Sequence, residues 1–130
     1  MRGRPPGSRW LAVAVSTAAL LVASVLPSPF ERRPGWEWVG PDKLLHFVGH
    51  TGGVVARANA LHAGRRTDAE AAVLAVGIST THSLVTGRLQ SRVPGRAFEL
   101  MDVLAGLAGA VFAAVGWYAV NGASTDDVAA

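Results

Sequence analysis

Seven polar or ionisable side chains stand near predicted helix ends: Asp42, Lys43 and His46 in one segment, and Gln90, Arg96, Glu99 and Asp102 in another. Lys43 and Arg96 could hold an anion such as phosphate, Arg through a bidentate fork. His46 and Asp102 are the candidates for acid/base catalysis. The plainer alternative for Asp42, Lys43, Arg96 and Asp102 is a structural ion-pair network stapling helix ends, with Asp42 and Glu99 also suited to helix N-termini electrostatically. His46 and His50 have the i, i+4 spacing of two helical metal ligands, with His82 or Asp102 as a possible third. No His-Glu-x-x-His accompanies them, so no metal or cofactor is expected. The chain has no cysteine, which removes disulfide, thiolate-metal and thiol chemistry.

The elements that position these groups follow from composition. Half of the 130 residues are hydrophobic and 16% are charged, against about 25% charged in an average soluble domain. The charges fall in short segments between long uncharged stretches, as a bilayer requires. Four helices are expected, over about residues 10–28, 42–62, 69–90 and 98–120, with 121–130 an acidic, disordered tail. Trp10–Leu26 is uncharged for seventeen residues and ends at Pro27-Ser28-Pro29. It is long for a signal core and lacks a clean cleavage site, so a retained membrane helix is expected. Trp36 and Trp38, in the loop that follows, suit the headgroup region. At 100° per residue, Asp42, Lys43, His46, His50, Gly53 and Arg57 make one stripe on the second helix, which must face other helices or a wet cavity. Arg57 is expected to snorkel to the far surface. Ser79, Ser83, Thr86 and Gln90 share a face of the third helix, with His82 beside it. Asp102, Gly106, Gly109, Ala113 and Gly116 share a face of the fourth, where small residues let helices approach closely, inside the bundle or between copies. The fold expected is an all-α integral membrane bundle of four transmembrane helices.

Helix direction alternates across a membrane, so the second helix's start, the third's end and the fourth's start lie on one side. Asp42, Lys43, His46, Gln90, Arg96, Glu99 and Asp102 all enter there. At this point the sequence resembles the VanZ-like membrane proteins. Asp42-Lys43-Leu44-Leu45-His46-Phe47 is similar to that family's Asp-Lys-x-x-His-Phe opening, and Gln90-x5-Arg96 followed by Asp102 to its second motif. Val93-Pro94-Gly95-Arg96-Ala97-Phe98 fits the same segment, and Gly109 matches a glycine seven residues after the Asp. The resemblance spans about residues 10–120. Two positions depart from it: Gly87 where the family usually has Glu, and Gly106 where it usually has Asn. If those two belong to an active centre, the activity here is altered or lost.

The resemblance implies a multi-pass protein of the cell membrane, in a family named for an association with teicoplanin resistance. The expected partners are membrane lipids, with an anionic lipid or wall precursor bound at Asp42, Lys43, His46, Gln90, Arg96 and Asp102. A membrane hydrolase or transferase using His46 and Asp102 is the alternative, and a purely structural protein, with a homo-oligomer possible, is the third. Nucleic acid is not expected, because the twelve basic residues are dispersed and no soluble basic face is visible. An even helix number and Arg2, Arg4 and Arg9 before the first helix predict cytoplasmic termini. Because the chain lacks cysteine, Ser124→Cys provides a background-free label: an impermeant maleimide should react only after lysis, and labelling of intact cells would reverse the orientation.

Overall fold

The computed structural model describes residues 5–26, 40–94 and 98–129, with 123–129 as backbone only. Arg96 and the two loop tryptophans, Trp36 and Trp38, lie outside the described residues. Four helices make up the fold, α1 Pro6–Val25, α2 Pro41–His62, α3 Asp68–Gln90 and α4 Leu100–Ala129, with no strand among the described residues.

Local signals set most of the boundaries. Pro6 and Pro41 open α1 and α2 at the first turn, where a missing N–H costs nothing. Thr67 caps α3 in a reciprocal capping box: its hydroxyl accepts from the Glu70 N–H at 3.2 Å, and the Glu70 carboxylate accepts from the Thr67 N–H at 3.0 Å. Between α2 and α3 the chain reverses over Ala63–Thr67, with Arg65 in the left-handed region at φ 70°. The fourth helix differs from expectation. Its backbone continues to Ala129 instead of ending near residue 120. No proline follows Gly95 to stop it, and Asn121 Nδ2 donates to the Trp117 carbonyl at 2.9 Å across the expected end.

Helix α2 is central and packs on α1, α3 and α4; α3 also packs on α4, whereas α1 rests on α2 and α3 only. The buried core is built from small residues: Ala58, Ala71, Ala75, Ala110, Ala113 and Ala114, with Val54 and Trp117. Larger apolar residues point outward on every helix, among them Leu11, Leu44, Val73 and Phe112, the last two 71% and 66% exposed. The inward stripe of α2 is borne out at Lys43, His50, Gly53 and Arg57, all buried. The same holds for Ser79, Ser83, Thr86 and Gln90 on α3. Among the described residues, two helices qualify by length and apolarity to cross a membrane, Pro6–Val25 and Leu100–Gly122 of α4.

A tight approach joins α2 to α4. A Cβ at Gly109 would collide with the Phe47 carbonyl, and Thr51 Oγ1 donates to both the Phe47 and the Gly109 carbonyls, at 2.8 and 3.2 Å. Gly106 and Ala113 are buried beside this contact, while Gly116 faces open space. The small-residue face is thus used largely within the chain. Gly109→Ala should therefore push the two helices apart and destabilise the protein by about 1–3 kcal/mol, the usual cost of overpacking. Gly116→Ala should cost almost nothing. Denaturation of both variants in mild detergent checks this, and equal stability of the two would contradict it.

Candidate functional site

The α2–α4 contact brings one turn of each helix together at the site. Lys43 and His46, three residues apart on α2, share a face. Lys43 Nζ donates to Glu99 Oε2 at 3.2 Å and lies 3.6 Å from Asp102 Oδ1. His46 Nε2 lies 3.7 Å from Asp102 Oδ2. Lys43 and Asp102 side chains are each only 10% exposed, so the pair is largely withdrawn from water. Asp42 sits half-buried in the first turn of α2, close enough to Asp102 to act on it electrostatically. Three of the six expected site residues, Lys43, His46 and Asp102, therefore meet directly. Glu99 joins them as the primary partner of Lys43. Gln90 is buried at the end of α3, with its Nε2 unpartnered among the described residues.

Behind this cluster the polar groups continue inward. The His46 and His50 rings stack with centroids 6.3 Å apart, and the His50 and His82 rings lie 6.1 Å apart and tilted. His82, unexplained by the hydroxyl face of its helix, thus belongs to a histidine row shared by α2 and α3. Among the described residues, no group of three or more His, Asp or Glu is placed to hold a metal ion. Deeper still, Arg57 corrects the expectation of a snorkelling side chain. It is 3% exposed, and its guanidinium donates to Ser79 Oγ at 2.9 Å and Thr17 Oγ1 at 2.8 Å. The stripe places Arg57 inward, while its distance along the axis from His46, about 16 Å, suggests escape to the far surface. Helical side chains lean toward the N-terminus, which here means toward the bundle's middle.

Two glycines near the site, Gly87 and Gly106, are closed in by aromatic rings. A Cβ at Gly106 would lie 2.7 Å from His50 Cδ2, and one at Gly87 would lie 2.8 Å from Phe98 Cε2. The room a larger residue would need is filled at one position by the His50 ring and at the other by the Phe98 ring. An asparagine or a glutamate could enter only by displacing them.

Chemically, the arrangement offers a carboxylate–imidazole pair beside a neutralised lysine. It can bind a polar group by hydrogen bonds, and it places the His46 imidazole within ion-pair distance, 3.7 Å, of the Asp102 carboxylate. The Lys43–Asp102 interaction is open to a stability cycle. Asp102→Ala should destabilise the protein, but by less than the about 3–5 kcal/mol of a buried pair broken outright, because Glu99 still faces Lys43. Lys43→Ala combined with it should recover part of that loss, a coupling of about 0.5–3 kcal/mol. Simple additivity would mean that the two side chains do not interact. No known protein family, no curated protein and no solved structure matches the chain.

Proposed function

We propose that this is a VanZ-like, multi-pass protein of the cell membrane. In this reading all four helices cross the bilayer, and Lys43, His46 and Asp102, with Asp42, Gln90 and Arg96, bind the polar group of an anionic lipid or cell-wall precursor at one face. The observation that carries the reading is the inverted polarity of the bundle. A soluble bundle buries its large apolar residues and exposes its charges. Here Leu44, Val73 and Phe112 face outward, while Lys43, His50, Arg57 and Asp102 are buried. Surrounding hydrocarbon reverses the preference, because charges and hydroxyls must then turn inward to find partners. The same inversion explains why α2 and α3 are less apolar than α1 and α4: their polar residues line the interior. At 1.5 Å per residue their 22 and 23 residues reach about 33 Å, enough for a hydrocarbon core of about 30 Å.

The resemblance rests on the two motifs, and an effect on teicoplanin susceptibility is its cellular counterpart. One observation favours a second reading, a membrane hydrolase or transferase: His46 faces Asp102 through Nε2 while its Nδ1 has no partner among the described residues. A general base would need that 3.7 Å approach to tighten to a hydrogen bond when substrate binds, leaving Nδ1 to take the proton.

The test is lipid recovery. Protein purified gently from native membranes should carry an anionic lipid or lipid-linked wall precursor enriched over the bulk membrane, read by mass spectrometry. His46→Ala should keep the fold and lose that enrichment. A co-purified lipid profile identical to the bulk membrane would overturn the binding reading. Conversion of the retained molecule by wild type, absent in His46→Ala, would establish the second.

A further inference from the structure

Arg57 presents a problem the surface cluster does not solve. Its guanidinium is buried, and its only hydrogen-bond partners among the described residues are neutral hydroxyls, Ser79 on α3 and Thr17 on α1. No carboxylate pairs with it among the described residues, since Asp102 and Glu99 engage Lys43 and Asp68 lies against His62. Its height in the bundle is central. Thr17 and Ser79 each lie eleven residues into a helix that starts at the same end, about 16 Å along the axis. A cation that deep without a counter-charge is among the most costly arrangements a protein interior can hold.

The sequence nevertheless makes room for it. Gly53 stands one turn before Arg57, and a Cβ there would lie 2.7 Å from the guanidinium Nη1. What surrounds the charge is rich in donors and poor in anions. Ser79 is fully buried, and its hydroxyl already accepts from Arg57, so its own hydrogen is left to donate. His82 lies three residues along the same helix, with both ring nitrogens unpartnered among the described residues. His50 leaves Nδ1 in the same condition. Both histidines lie within electrostatic reach of the guanidinium. Neutral imidazole offers one N–H donor and hydroxyls reorient to donate. Arg57 itself uses two of its five N–H donors on the two hydroxyls.

We propose that Arg57, Thr17 and Ser79, together with His50 and His82, form an interior binding site for a small monovalent anion of the halide class. The anion supplies the missing negative charge and gathers the unused donors. It also ties α1 to the rest of the bundle, since Thr17 is the α1 residue that touches the charge. The inference needs only the burial of Arg57 and does not depend on the ligand of the Lys43–Asp102 cluster, whose failure leaves it standing.

The test uses the full-length protein in detergent, exchanged into gluconate, an anion too large to enter. Chloride and bromide are then titrated at constant ionic strength, and thermal unfolding is followed by tryptophan fluorescence. Wild type should show a saturable rise in Tm with either halide, as any ligand of the native state produces. Ser79→Ala should fold and weaken the apparent halide affinity about tenfold, the loss of one charge-assisted hydrogen bond. Arg57→Gln should abolish the response, while Lys43→Gln should retain it. Bromide soaked into crystals should give an anomalous peak beside Arg57. A wild-type Tm indifferent to halide at fixed ionic strength, the result expected if water alone fills the site, would overturn the proposal. So would a saturable response that survives Arg57→Gln.

Discussion

The close contact of α2 with α4 is the constraint on which the other features depend. Gly109 lets the Phe47 carbonyl sit where a side chain would otherwise be, and Thr51 bridges the two backbones. With the two backbones held this close, Asp102, seven residues before Gly109, comes to lie beside Lys43 and His46 near the start of α2. One turn nearer the contact, Gly106 accepts the His50 ring, and His50 in turn meets His82 of α3. Moving α4 outward would separate Asp102 from its partners and open the histidine row together. The glycine is therefore a condition of the site as much as of the packing.

A second consequence is the distribution of polarity. Small residues at the helix contacts leave little apolar volume in the interior, which is built mainly from alanine. Such a core offers a soluble protein little hydrophobic stabilisation, since each alanine removes little area from water. The interior instead holds hydroxyls, imidazoles and charges, each of which demands a partner once buried. Lys43 finds Glu99 and Asp102, and Trp117 Nε1 donates to Asn59 Oδ1 at 2.8 Å. Among the described residues, Arg57 finds only hydroxyls. The bundle thus pairs polar groups inside and turns large apolar side chains outward, the distribution that a bilayer would favour.

Much of this was legible in the sequence because helical periodicity reports faces directly. The stripe of Lys43, His50, Gly53 and Arg57 and the hydroxyl face of α3 both turn inward as their spacing requires. Alternating helix direction was enough to bring Lys43, His46 and Asp102 to one end. Periodicity gives no side-chain direction along the axis, and that is why Arg57 was expected at the surface when it reaches back to mid-height. Pairing was also beyond it: Glu99, one of several groups at that end, is the one that takes the Lys43 hydrogen bond. Nor could spacing foresee that Gly87 and Gly106 are matched by the Phe98 and His50 rings, because that fit exists only between elements. The acidic composition after residue 120 suggested disorder, yet without a proline or a terminating turn the helical backbone runs on.

The central claim, a polar interior inside an apolar surround formed by all four helices, turns on the outer faces of α2 and α3. Nitroxide labels at Leu44→Cys, Val73→Cys, Val85→Cys and Phe112→Cys in the reconstituted, otherwise cysteine-free protein can be read by paramagnetic relaxation with oxygen and with a water-soluble nickel chelate. The account predicts that all four labels relax strongly with oxygen and weakly with nickel, with the Phe112 position the deepest and Val73 and Val85 at similar depths on opposite sides of the middle of α3. Strong nickel relaxation at Val73 and Val85 would place α3 in water and contradict it.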